Sequence, residues 1–163
     1  MNILCFGDSN TWGYKPDKSG RYDENIRWTG LLQKKLGSGY HIIEEGLCGR
    51  TTVFQDELRE GRRGLDLIGV TVEMHNPIDL MIIMLGTNDM KKRFSLLPVD
   101  IAYGAAELGK LVESYDYGGA WYPVPQVLLV SPIELGEGVE NSPFTGFAPE
   151  AVEVSRQLAP YFE

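Results

Sequence analysis

Four short apolar runs punctuate the chain, at Asn2 to Phe6, His41 to Glu45, Leu80 to Leu85 and Val127 to Val130. Two of them, ILCF and LMIIML, are apolar without interruption. Unbroken apolar runs suit strands covered on both faces, as in a parallel sheet. Helical periodicities lie between them. Trp28, Leu31, Leu32 and Leu36 share one face, and Gly37 offers a C-terminal cap. Leu65, Ile68 and Val72 form a weaker stripe, interrupted by Gly69 and closed by Asn76-Pro77. Ile101, Ala105, Leu108 and Val112 form a third, entered through Pro98 and left at Gly118-Gly119. Ala151, Val154, Ser155 and Leu158 form a fourth, with Pro149 near its start. Strands alternating with helices in this way predict an α/β fold, a parallel sheet with helices on both faces.

Three loops are longer than a connection needs: Asn10 to Ile26, Thr51 to Arg63 and Pro132 to Ala148. Each follows the C-terminal end of a strand, the edge at which open parallel sheets bind ligands. The working face is therefore predicted from loop length alone.

Bulk properties narrow the partners. A chain of 163 residues suits one domain, residues 1–163, with a single core. The formal net charge of -8 argues against a phosphate-backbone partner and against docking on an anionic membrane. No apolar stretch approaches a membrane span, and the N-terminus lacks the pattern of a secretory signal, so a cytoplasmic location is expected. Cys5 and Cys48 are too few for a disulfide framework and do not form a metal-type pair. Cys5 reads as a small buried hydrophobe.

The strand ends carry the chemistry. The first run leads into Gly7-Asp8-Ser9, the second into Gly46-Leu47-Cys48-Gly49-Arg50, the third into Gly86-Thr87-Asn88-Asp89 and the fourth into Ser131-Pro132. Parallel strands about 4.8 Å apart bring such ends together. A hydroxyl, a bare glycine amide and an asparagine amide then converge, which is what acyl transfer needs: an attacking oxygen and donors for the oxyanion. Gly-Asp-Ser alone is a common turn. Gly-Thr-Asn-Asp alone is a capped loop. The combination at successive strand ends is much harder to reach by accident.

These blocks resemble the SGNH, or GDSL, serine hydrolases: GDSNTWG, EEGLCGRTT and IIMLGTND. The stretches RWTGLL, EEGLCGRTT and DLMIIMLGTNDMK are similar almost end to end to the arylesterase and acyltransferase branch, and the resemblance covers nearly all of the chain. It implies a three-layer, flavodoxin-like fold, with Ser9 as nucleophile and Gly49 and Asn88 as oxyanion donors. It further implies esters of small acyl groups as substrates, and neither metal nor organic cofactor. Asp8 and Asp89 read as supporting acids that order their loops. Arg50 either braces the site or pairs with an acid such as Glu45. Trp12, Tyr14 and Phe54 read either as aromatic walls of a substrate pocket or as loop core.

One family block has no counterpart. The family completes its triad with Asp-x-x-His after a fifth strand, and no such motif occurs here. The chain is therefore expected to be C-terminally truncated, without the last strand and without the catalytic histidine. His41 opens its strand, roughly 16 Å from Gly46 at about 3.3 Å per residue. His75 precedes the third strand. A general base must approach the hydroxyl to about 3 Å or act through one water. Neither histidine is expected to serve, so the esterase is expected to be severely weakened. Without a fifth strand the fourth would be an exposed apolar edge, which invites pairing with another copy. Two other readings compete: a non-catalytic remnant, and a flavin- or phosphate-binding module with the SNTWG loop as its cradle. Flavin absorbance would reveal the latter.

Overall fold

The computed structural model describes residues 1–116 and 122–163. Its strands are β1 (Asn2–Gly7), β2 (His41–Gly46), β3 (Leu80–Met84) and β4 (Gln126–Leu129). The helices are α1 (Ser9–Trp12), α2 (Trp28–Leu36), α3 (Gly64–His75), α4 (Pro98–Ser114) and α5 (Glu150–Arg156). The four strands form one parallel sheet in the order β2-β1-β3-β4. This is the flavodoxin-like order through its first four positions. The Gly118-Gly119 exit predicted after α4 lies outside the described residues, and α4 ends at Ser114.

Residue alternation in β1 decides which layer each side chain joins. Leu4 and Phe6 face one side, where Met81 and Ile83 of β3, Ile68 and Val72 of α3, and Leu108 and Val112 of α4 close the main core. Ile3 and Cys5 face the other side, with Ile82, under Trp28, Leu32 and Leu36 of α2. Burial, reinforced by Glu44, pushes the Cys5 thiol up to about 12, so it packs as a neutral hydrophobe. The predicted α2 stripe and its Gly37 cap are both present, with Gly37 at φ 78°. In the fourth stripe Leu158 is fully buried but lies beyond the end of α5, just ahead of the Ala159–Phe162 turn. It joins Met90, Ile101 and Ala151 in a separate cluster that seats α5 against α4.

Candidate active site

Register places the site. Gly7 of β1 stands opposite Gly46 of β2 and Met84 of β3, so the loops leaving all three strands start side by side. The chain leaves β1 directly into the single helical turn α1. Asp8 caps it: the Asn10 backbone N–H donates to Asp8 Oδ1 at 2.8 Å. Gly13, at φ 82°, closes it. The turn lies so close over β2 that a Cβ on Gly46 would stand 2.3 Å from the Trp12 nitrogen. This packing fixes Ser9 as the first residue of α1, half-buried, and its Oγ makes no hydrogen bond among the described residues.

Gly49 is buried at φ 89°, a conformation that favours glycine, and a Cβ there would also displace the Arg59 guanidinium, whose Nη1 would lie 2.4 Å away. Its N–H makes no hydrogen bond among the described residues. Asn88 opens the 3₁₀ turn Asn88–Met90 after β3. Its Nδ2 donates to the Arg50 carbonyl at 3.1 Å and more weakly to Asp8 Oδ2 at 3.4 Å. The first bond fixes the plane of the amide; the second is long enough to be exchanged.

Three buried charged groups hold these loops. Asp8 is inaccessible to solvent, and burial raises its carboxyl above the ordinary value against hydrogen bonds from Asn10 and Thr87 and the nearby Arg50. Asp89 accepts from the Thr52 N–H at 2.9 Å and from Thr52 Oγ1 at 2.7 Å, tying the loop after β3 to the loop after β2. Burial pushes its pKa up to about 6. Arg50 bonds neither Asp8 nor the Glu45 carboxylate. It donates to the carbonyls of Gly7, at 3.0 Å, and Glu45, at 2.5 Å, and its guanidinium stacks 3.8 Å from the Phe6 ring centre. Of the two roles open from sequence, bracing the strand ends is the one its side chain performs.

Ser9, Gly49 and Asn88 all line one open cleft of about 610 Å³. All three long loops reach it, through Tyr14, Leu58 and Phe144 among others. Of the aromatic residues singled out in sequence, Tyr14 lines it and Trp12 and Phe54 do not. The Trp12 ring lies 5.9 Å from that of Tyr14 and under the Arg21 guanidinium, while the Phe54 ring packs beside Gly104 of α4. Lys91 and Arg59, which the sequence reading did not single out, also line the cleft. Lys91 carried no local signal, since it stands just past the Asn88–Met90 turn in extended backbone. Neither histidine lines the cleft. His41 starts β2 at its far end, and His75, the last residue of α3, bonds Glu45 Oε1 at 2.7 Å. His75 thus reaches further along β2 than residue counting suggests, on the α3 side of the sheet. Among the described residues no group of three or more His, Cys, Asp or Glu could hold a metal ion, and no helix is long and apolar enough to cross a membrane.

A parallel α/β sheet with a serine, a bare glycine amide and an asparagine at adjacent strand ends defines the architecture of the SGNH esterases. The GDSL-like lipase/acylhydrolase family matches residues 5–157, and the chain belongs to that family. A carbohydrate acetylesterase family member from Sinorhizobium meliloti superposes with TM-score 0.91 at 39% identity, over 99% of this chain and 76% of that one. The aryl esterase of M. smegmatis superposes with TM-score 0.89 at 39% identity, over 99% of this chain and 77% of that one. AlinE4, an SGNH-hydrolase family esterase, shares the fold with TM-score 0.62 at 20% identity, over 99% of this chain and 70% of that one. No curated protein matches the chain.

Proposed function

We propose that this chain cleaves carboxylic esters of small acyl groups with Ser9 as the nucleophile. The observation that carries the reading is the unbonded, half-buried Ser9 Oγ on the cleft that Gly49 and Asn88 also line. Ser9 Oγ adds to the ester carbonyl. The oxyanion that forms is met by the free Gly49 N–H and by the Asn88 amide, which exchanges its long Asp8 contact for the substrate. The alcohol then leaves with a proton, and water releases the acid and restores the hydroxyl. The neighbours support the substrate class: one is named an acetylesterase and another an aryl esterase. Transfer of the acyl group to an alcohol in place of water follows the same path.

The Ser9 proton needs an acceptor, and neither histidine of this chain stands on the cleft. We therefore infer that the chain turns over slowly. In a serine protease stripped of a triad member, binding and the oxyanion hole still give about 10³- to 10⁴-fold acceleration over water. Hydrolysis of 4-nitrophenyl acetate by this chain and by Ser9→Ala tests both parts. The expected result is weak hydrolysis above the buffer rate that Ser9→Ala abolishes, with an acetyl group found on Ser9 by mass spectrometry. Equal rates for the two proteins overturn Ser9 as nucleophile. Fast, Ser9-dependent turnover overturns the missing base and requires an acceptor among the cleft residues.

A further inference from the structure

The cleft has the opposite charge to the molecule. The chain carries a formal net charge of -8, yet among the described residues those lining the cleft include Lys18, Arg59, Lys91 and Arg93 and no carboxylate. Arg93 is already satisfied, since Nε and Nη2 donate to Asp56 at 3.0 and 2.5 Å. Lys91 and Arg59 are not: neither side chain makes a hydrogen bond or an ion pair among the described residues.

Lys91 is the informative one. An exposed, unpaired arginine is ordinary, but Lys91 is only 7% exposed. Its stem packs against Gly146, and its ammonium lies 6.0 Å from the centre of the Phe147 ring. Most of the side chain is buried while its ammonium opens on the cleft, and among the described residues no carboxylate bonds it. The burial shows in its proton affinity. Burial first, then the Arg93 and Arg59 charges, lower Lys91 to about 8, against Asp56 and Asp8, which hold it up. Asp56 is committed to Arg93, and Asp8 is buried beneath α1. An anion in the cleft would therefore meet Lys91 as its direct partner. Arg59 stands ready beside it, its Nη1 against Gly49. Around the two cations the walls are apolar and aromatic: Tyr14 and Phe144 meet edge to face, 5.7 Å between ring centres, with Leu58 and Phe147.

We propose that the cleft selects esters bearing an anionic group, a carboxylate or a phosphate beside an aryl or apolar body, with Lys91 and Arg59 as its anchors. This rests on the esterase reading for the chemistry, but the anion site itself is a matter of binding. One charge-assisted hydrogen bond is expected to raise affinity about tenfold or more, roughly 1.4 kcal/mol per decade.

Titration calorimetry with benzoate, its neutral isostere benzamide, and phenyl phosphate tests it without any turnover. Benzoate or phenyl phosphate is expected to bind about tenfold or more tighter than benzamide at neutral pH, and the order of the two anions separates carboxylate from phosphate. Lys91→Met is expected to erase the preference while leaving benzamide binding intact, which also certifies that the variant is folded. Arg59→Met is expected to reduce it. Equal affinities for benzoate, phenyl phosphate and benzamide, no detectable binding of either anion, or a preference that survives the Lys91→Met/Arg59→Met double change overturns the proposal. Anion binding without ester hydrolysis leaves this site standing and removes the esterase reading; hydrolysis without anion preference does the reverse.

Discussion

Asp89 is a fully buried carboxyl whose donors, the Thr52 N–H and hydroxyl, only partly offset the cost of its burial, so its pKa rises from 3.8 to about 6. The folded state then binds the proton more tightly than the unfolded chain. Folding takes up a proton between pH 3.8 and about 6, so the stability Asp89 contributes is greatest below that window and declines as pH rises through it. The decline is on the order of 3 kcal/mol once the group is ionised. An asparagine side chain in its place would keep an acceptor for Thr52 and carry no charge. Urea unfolding of Asp89→Asn beside the parent is therefore expected to favour the variant more at pH 7 than at pH 4. A difference that is the same at both values would mean that burial does not raise this carboxyl. At this scale the sequence marked residues that come to line one cleft, but not how they are held. Ser9, Gly49 and Asn88 were legible because each ends or follows an apolar run. The pairing of Asp89 with Thr52, and the arrival of Arg59 and Lys91 in one cleft, join residues far apart in the chain, and no local pattern encodes them.

Among elements, the strands were legible to within a residue from their apolar runs, and the helices from their stripes, although α4 ends at Ser114, ahead of the Gly118-Gly119 exit expected for it. The turn α1 was not. Four residues are too short for periodicity, and the segment after Asn10 read simply as loop, although Asp8 and Gly13 are the caps of a helical turn. What joins the elements also escaped the pattern. Arg50 spans the ends of β1 and β2 through two backbone carbonyls and lies on the Phe6 ring. Both carbonyls also belong to the β1–β2 ladder, with the Leu47 N–H on that of Gly7 at 3.0 Å, so what Arg50 adds is a side-chain clamp across the two strand ends. Arg50→Met keeps the stem on Phe6 and removes the donors. It is expected to cost about 1–3 kcal/mol, seen as a lower urea midpoint at unchanged slope. It should also slow ester hydrolysis, because the loops carrying Ser9 and Gly49 lose their common brace. Stability within about 0.5 kcal/mol of the parent would reduce Arg50 to a spectator.

For the whole molecule, among the described residues β4 pairs with β3 alone. One side of its backbone is an open edge, and side chains around it are exposed: Leu128 at 48%, Val124 at 52% and Ile133 at 64%. An open apolar edge templates pairing with another strand. Charge opposes this, since copies at net charge -8 repel one another over a Debye length of about 10 Å at 0.1 M salt. Raising salt removes the repulsion and leaves the apolar edge. Light scattering is therefore expected to show mass increasing with protein concentration, and more steeply at high salt than at low. Leu128→Lys puts a charge on the edge without touching the buried core, and it should return the protein to monomer under the same conditions. The salt dependence separates this origin from surface ion pairing, which salt would weaken. A clean monomer at high concentration and high salt, or association that Leu128→Lys leaves unchanged, would show that β4 is not the contact.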